Sequence, residues 1–104
     1  MKVYNKLVRD KIPDIIEAGG ERPVTRILGE EEFRHHLEQK LDEEVAEFHK
    51  DKTVEELADI LEVVYALAGD RETLEKAYRV KHEARGGFET VSYTHLTLPT
   101  MAVV

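Results

Sequence analysis

Residues 40–59, KLDEEVAEFHKDKTVEELAD, contain the end of one helix, a turn and the beginning of a second helix. Before the turn, no Gly or Pro interrupts residues 30–50, and apolar residues recur at helical spacing, so a helix is predicted there. These apolar residues are Phe33, Leu37, Leu41, Val45 and Phe48. The polar residues Asp51, Lys52 and Thr53 then interrupt the helical spacing of apolar residues. Thr53, with Glu56 three residues later, predicts a capping box at the start of a second helix over Val54–Ala68.

Two further helices are predicted on either side of this pair. Pro13 suits the first turn of a short helix over Ile12–Ala18, which a Gly-Gly pair would end. A second Gly-Gly pair would end a long helix over Arg71–Arg85. Residues 23–28 are predicted to be a loop or a lone strand. The short loops favour antiparallel neighbours, so the predicted fold class is all-α, a small helical bundle.

The helix predicted over Val54–Ala68 is apolar around most of its circumference. A helix with that pattern is buried on several sides, which a bundle of this size cannot provide alone. We therefore expect oligomerisation to complete the bundle.

The composition limits the class of protein. A chain of 104 residues, 36% charged and 41% hydrophobic, fits one small domain. The absence of Cys excludes a disulfide scaffold, a thiol nucleophile and a thiolate metal site. The longest apolar run, residues 63–68, is far shorter than the roughly 20 residues of a membrane span, and the N-terminus lacks the apolar stretch of a signal peptide. We therefore expect a cytoplasmic protein with no membrane partner.

The acidic residues are concentrated in one segment. Residues 30–62 contain thirteen Asp and Glu but only four Lys and Arg. This argues against a nucleic acid polymer as partner, because phosphate contacts require a basic face. It suits a cation. The alternative, and the commoner meaning of such a segment, is a solvated acidic helical face.

Four carboxylates within this segment are candidate metal ligands. Glu44 falls in the middle of the apolar stripe of its helix, and Glu47 follows one turn later. On the next helix Glu56 and Asp59 repeat the three-residue step. Antiparallel packing would bring the two pairs together into an oxygen-only cluster, which Mg²⁺ or Mn²⁺ prefers. The alternative is surface salt bridging, such as Lys40 with Glu44.

The chain resembles the MazG-like nucleotide pyrophosphohydrolases in three places. EExxE at residues 43–47, followed by ExxD at residues 56–59, is similar to the signature of that family. The opening YNKLVRDKIP, residues 4–13, resembles the start of its phosphoribosyl-ATP pyrophosphohydrolase-like branch. The sequence KHEARGGF, residues 81–88, resembles the closing motif of the same branch. The resemblance extends over residues 1 to about 90, and the eight residues between Glu47 and Glu56 are fewer than the family's usual gap.

This resemblance implies an all-α homodimer or homotetramer that uses Mg²⁺ to cleave nucleoside triphosphates between the α- and β-phosphates. By position it implies that Glu43 orients or deprotonates the attacking water, and it assigns four metal ligands. These are Glu44, Glu47, Glu56 and Asp59.

A triphosphate also requires cations, and basic residues flank the acidic segment. The candidates for binding its phosphates are Lys6, Arg9, Lys11, Lys81 and Arg85. Two alternatives stay open. One is phosphoribosyl-ATP as the substrate, in histidine biosynthesis. The other is a non-catalytic helical interaction module whose acidic residues only increase its solubility.

The last fourteen residues differ in composition from the rest of the chain. VSYTHLTLPT, residues 91–100, is β-rich and nearly uncharged. It resembles the translation of a transposase adapter that is ligated to fragments in sequencing libraries. We therefore predict one domain over residues 1–90 and a non-native read-through tail over residues 91–104. The alternative is an ordinary C-terminal strand.

Overall fold

The computed structural model describes residues 5–90 and Tyr93. Within this part of the chain the regular structure consists of four helices and no strand. They are α1 (Ile12–Ala18), α2 (Glu30–Asp51), α3 (Val54–Ala68) and α4 (Arg71–Arg85). The predicted all-α class is confirmed. None of the helices described is long and apolar enough to cross a membrane.

The helices begin and end where local signals predicted. The bounds of α1, α3 and α4 are those expected from the sequence, and α2 extends one residue further, to Asp51. Residues 23–28 form a loop, one of the two predicted alternatives. Gly69 and Gly86, which follow α3 and α4, both have φ of 76°, a left-handed value that favours glycine.

The α2–α3 connection is the tight turn that positions the acidic residues. Lys52 has a left-handed φ of 54°, and its N–H donates to the Phe48 carbonyl over 2.7 Å. Thr53 caps α3, because its Oγ1 accepts a hydrogen bond of 3.3 Å from the Glu56 N–H. The Thr53 half of the predicted capping box is confirmed, and its other half, a bond from the Thr53 N–H to the Glu56 carboxylate, is not among the hydrogen bonds of the described residues. The two-residue connection reverses the chain, so that α3 packs antiparallel against α2.

The core lies along the seam between α2 and α3. Leu37 and Val63 are only 6% and 8% exposed. Half-buried apolar side chains continue the seam on both helices: Leu41, Val45, Phe48, Ile60, Val64 and Leu67. Another face of α3 stays open, since Leu57 and Leu61 are each 47% exposed. The apolar residues of α3 extend around most of its circumference, and packing against α2 covers only one side of it.

The chain divides into two compact units, Met1–Arg71 and Glu72–Val104. The first contains α1, α2 and α3, and the second contains nearly all of α4. The end of α4 is closed by a hydrogen bond of 2.8 Å from the Gly86 N–H to the His82 carbonyl. The predicted domain of residues 1–90 and its tail stay predictions, because residues 91–104, apart from Tyr93, lie outside the described part.

Residues 5–11 form a non-helical segment that ion pairs connect to α2 and α3. The Lys6 ammonium lies 3.0 Å from the Glu43 carboxylate on α2. The Arg9 guanidinium lies 2.7 Å from the Asp59 carboxylate on α3. The first unit therefore places a basic segment against the acidic hairpin.

Candidate metal centre

Three carboxylates from the two helices of the hairpin converge. Glu44 projects from α2, and Glu56 and Asp59 project from α3. One carboxylate oxygen of each lies within 4.8 Å of the other two, and all three residues are half-buried. Oxygens on opposite sides of a magnesium ion are about 4.2 Å apart, so a limit of 4.8 Å is close to the spacing of ligands around one ion. We call these three residues the central carboxylates.

A second group of carboxylates overlaps with the first. Glu47 and Asp51 of α2 lie with Glu56 of α3, again within 4.8 Å of one another. Glu56 therefore belongs to both groups. Three of the four predicted ligands meet in the first group, and the fourth, Glu47, joins them through Glu56.

Asp51 is the acidic residue that the sequence interpretation missed. The sequence assigned it to the polar break between the helices, whereas it is the last residue of α2. Its position four residues after Glu47 is the signal that could have found it, since residues at that spacing are neighbours on a helix.

The electrostatics of Glu56 reflect its central position. Burial raises the pKa of the Glu56 carboxyl, and the negative charges of Asp51, Asp59, Glu47 and Glu44 raise this pKa further. In the described part of the chain, Glu56 is within 4 Å of no basic side chain. A cation bound among these carboxylates would relieve the repulsion.

Two basic side chains lie against the other central carboxylates. The Arg9 Nη2 donates to Asp59 Oδ1 over 2.7 Å. The Lys40 Nζ lies 3.3 Å from Glu44 Oε1, so the predicted salt bridge between these two residues is present. The Arg9–Asp59 pair is about half exposed, and exposed pairs contribute only about 0–1 kcal/mol, whereas the side chains of Lys40 and Glu44 are only 22% and 13% exposed. Glu44 and Asp59 therefore take part in ion pairs and also belong to the central carboxylates.

Glu43, the predicted water-activating residue, belongs to neither carboxylate group. Its carboxylate lies 3.0 Å from Lys6 and 3.7 Å from Lys40. The hydrogen bond from Lys6 holds the pKa of Glu43 below its usual value, with the charge of Lys40 acting in the same direction. In this arrangement Glu43 is an ion-paired carboxylate and a weaker proton acceptor than a free one.

The predicted phosphate-binding residues are divided between the two units. Lys6 and Arg9 lie against the acidic hairpin through their ion pairs. Lys11 is exposed at the N-terminus of α1. Lys81 and Arg85 are exposed on α4, in the second unit. Among the three predicted cations of the first unit, Lys6 and Arg9 pair with acidic residues of the hairpin, and the role of all five stays a prediction.

A groove of about 410 Å³ adjoins the central carboxylates. Its lining combines Glu44 and Asp59 with Arg9, and it also includes the apolar or aromatic side chains Phe33 and Tyr65. Such a mixture of a few charged groups with apolar walls is typical of small-molecule sites.

One part of the groove lining is an aromatic–cation pair that the sequence interpretation missed. The guanidinium carbon of Arg71 lies 4.1 Å from the centre of the Tyr65 ring, a cation–π distance. The Arg71 Nη2 also donates to the Tyr65 hydroxyl over 3.3 Å. Tyr65 is half-buried.

Comparisons with known proteins leave the family open. No family model and no solved structure matches the chain. An uncharacterized protein of Mycolicibacterium smegmatis is 55% identical over 42 residues, which are 40% of this chain and 43% of that protein. The match thus spans less than half of the relative's length. The match identifies a segment that the two chains share and assigns no activity to this chain.

Proposed function

We propose that the protein is a Mg²⁺-dependent nucleotide pyrophosphohydrolase that releases a nucleoside monophosphate and pyrophosphate. The observation that carries this proposal is the convergence of Glu44, Glu56 and Asp59 from two helices within 4.8 Å. The resemblance of three sequence motifs to the MazG-like family supports it from a second direction.

The donor atoms fit the proposed ion. They are all carboxylate oxygens, which Mg²⁺ and Mn²⁺ prefer. Burial and then the charges of neighbouring carboxylates raise the pKa of Glu56, and a dication would neutralise those charges. The central carboxylates would hold the ion, with Glu47 and Asp51 adjoining it through Glu56. When bound, the ion supplies neutralisation of phosphate charge and a lower pKa for its bound water.

The surrounding residues have the properties that a nucleotide needs. Arg9 and Lys40 lie at the central carboxylates and carry the charge that phosphate oxygens attract. The guanidinium of Arg9 can form two parallel hydrogen bonds to one phosphate. Phe33 and Tyr65 give the groove apolar surface against which a nucleobase can pack.

The proposed reaction transfers no group to the protein. A water oxygen bonds to the α-phosphorus, the bond from that phosphorus to the bridging oxygen breaks, and pyrophosphate leaves with the bridging oxygen. Glu43 would accept the proton of the water only after Lys6 releases its carboxylate, because that ion pair lowers its pKa.

A panel of nucleoside triphosphates and phosphoribosyl-ATP, assayed with Mg²⁺ for pyrophosphate release, tests the proposal and separates the two substrate alternatives. Glu44→Gln should lower turnover by orders of magnitude, because a central carboxylate is lost. Glu38→Gln is the matched control, since it makes the same change at an exposed position of α2 outside both carboxylate groups.

A second measurement separates an enzyme from a non-catalytic acidic module. Mg²⁺ at a hundred times its dissociation constant should stabilise the fold by about 2.7 kcal/mol. Asp59→Asn should remove most of this stabilisation. The enzyme proposal is wrong if no nucleotide releases pyrophosphate and Mg²⁺ shows no saturable effect on unfolding.

A further inference from the structure

Arg9 donates a hydrogen bond to one of the carboxylates that the proposed metal site requires. Its Nη2 lies 2.7 Å from Oδ1 of Asp59, and Asp59 is one of the central carboxylates. The Arg9 side chain also lines the groove beside them. The contact joins residues that are 50 positions apart in the chain.

A guanidinium and a divalent cation compete for such a carboxylate. The ion would place two positive charges beside the one that Arg9 already brings to Asp59, and these like charges repel, although contact with solvent weakens the repulsion. Both side chains are about half exposed, 54% for Arg9 and 42% for Asp59, so the guanidinium has room to leave.

The position of Arg9 in the chain makes such a displacement local. Arg9 lies in the non-helical segment of residues 5–11, whereas Lys40, the other cation at the central carboxylates, is fixed on α2. Lys6 holds the same segment to Glu43, which is outside both carboxylate groups. Loss of the Arg9 contact would therefore free its side chain while the Lys6 contact keeps the segment near α2.

We propose that Arg9 is an internal competitor for the metal, which a divalent cation displaces from Asp59 so that the guanidinium becomes available to an anionic ligand in the groove. This inference rests on the proposed metal site. Under this proposal, binding of the cation and release of the Arg9 guanidinium toward a phosphate are coupled. Arg9 is in this sense a positioning residue, whose state depends on whether the cation is bound.

Mn²⁺ affinity, measured from the electron paramagnetic resonance of the free ion at about 0.15 M salt, tests the competition. Arg9→Gln should bind Mn²⁺ about two- to five-fold more tightly than the unaltered chain, the range expected from loss of an exposed ion pair. Lys11→Gln is the control, because it removes one charge from the same segment and has no ion pair in the described part of the chain. Its effect should be smaller, since salt screens distant charges.

A double mutant shows whether the effect passes through Asp59. In an Asp59→Asn background, where Glu44 and Glu56 are left to bind Mn²⁺ more weakly, Arg9→Gln should change this weaker affinity no more than Lys11→Gln does, because the competitor has already lost its partner. Equal gains from Arg9→Gln and Lys11→Gln would overturn the inference, as would unchanged or weaker Mn²⁺ binding by Arg9→Gln. If the unaltered chain binds no Mn²⁺ saturably, the proposed metal site fails and the inference fails with it.

A readout of the Arg9 side chain itself completes the test. Saturating Mg²⁺ should lower the heteronuclear NOE of the Arg9 side-chain Nε–H in the unaltered chain, because the released guanidinium becomes more mobile, and it should leave this NOE unchanged in Asp59→Asn. An NOE that stays constant in the unaltered chain while Mg²⁺ binds would show that Arg9 is not displaced, and the inference would be wrong although the metal site stands.

Discussion

Glu56 is the residue at which the two carboxylate groups meet, and its ionisation opposes folding. Burial and four neighbouring carboxylates raise the pKa of its carboxyl above the ordinary value. A carboxyl whose pKa is higher in the folded state binds its proton more tightly there. Its contribution to stability is therefore most favourable at low pH and declines as pH rises from the ordinary carboxyl range through the raised value.

We expect Glu56→Gln to raise the melting temperature in EDTA at neutral pH, because the amide removes the repulsion. The gain should disappear below the ordinary pKa of a carboxyl, about 4, where Glu56 is protonated in both states. Thermal unfolding followed by circular dichroism across this pH range measures it. Glu55→Gln, one position earlier on α3 and outside both groups, should show no such gain. A melting temperature lowered by Glu56→Gln at neutral pH would contradict the electrostatic argument.

The turn between α2 and α3 is the element on which the site depends, because it brings the acidic end of one helix beside the acidic start of the other. Thr53 supports this turn with one hydrogen bond, to the Glu56 N–H. Lys52 supports it with a left-handed backbone, which an L-residue adopts at a cost.

Thr53→Ala should destabilise the protein by about 1 kcal/mol, the usual cost of losing an N-cap side chain. Urea denaturation measures the loss, and Thr53→Ser, which retains the hydroxyl, should recover most of it. If alanine and serine prove equivalent, the Thr53 hydroxyl does not cap α3 in solution.

The helix ends and the convergence of carboxylates at this turn could be predicted from the sequence. Helix ends were predictable because Gly, Pro and the Thr53 cap act on their immediate neighbours. The convergence of Glu44 with Glu56 and Asp59 was predictable because a two-residue connection leaves antiparallel packing as the simplest arrangement.

Contacts between distant segments were not predictable in this way. Asp59 pairs with Arg9, and Glu43 pairs with Lys6 as well as with its helix neighbour Lys40. Arg9 and Lys6 both lie in a segment without helical periodicity. Helical spacing restricts which residues share one face, but it says nothing about which side chain of a distant loop reaches them. Asp51 was missed for a different reason, since helix ends read from sequence are uncertain by a residue or two.

For the molecule as a whole, the sequence predicts that residues 91–104 are not part of the folded domain. If these residues are translated adapter, they were never selected to pack against the domain. A chain ending at residue 90 should then keep its melting temperature and its pyrophosphate release. Differential scanning calorimetry and the nucleotide assay compare the two chains. A loss of more than a few degrees would restore the residues as part of the folded protein.

The exposed apolar face of α3 leads to the prediction of self-association. Leu57 and Leu61 are each 47% exposed and Val54 is 76% exposed, so one helix presents three large apolar side chains to water. A two-fold axis through this face would pair it with its own copy and cover both at once. Such a contact would lie on the helix that carries Glu56 and Asp59, so assembly would also hold the site's own helix in place.

We therefore expect a homodimer, or a homotetramer built from it, in sedimentation velocity at micromolar concentration. Leu61→Glu should shift the chain to monomer, because two copies of the new charge would face each other across the axis. Ile27→Glu is the matched control, since Ile27 is 98% exposed in a loop and the same substitution there should leave the assembly intact. A monomeric unaltered chain, or a Leu61→Glu chain that assembles as before, would show that this face is not the interface.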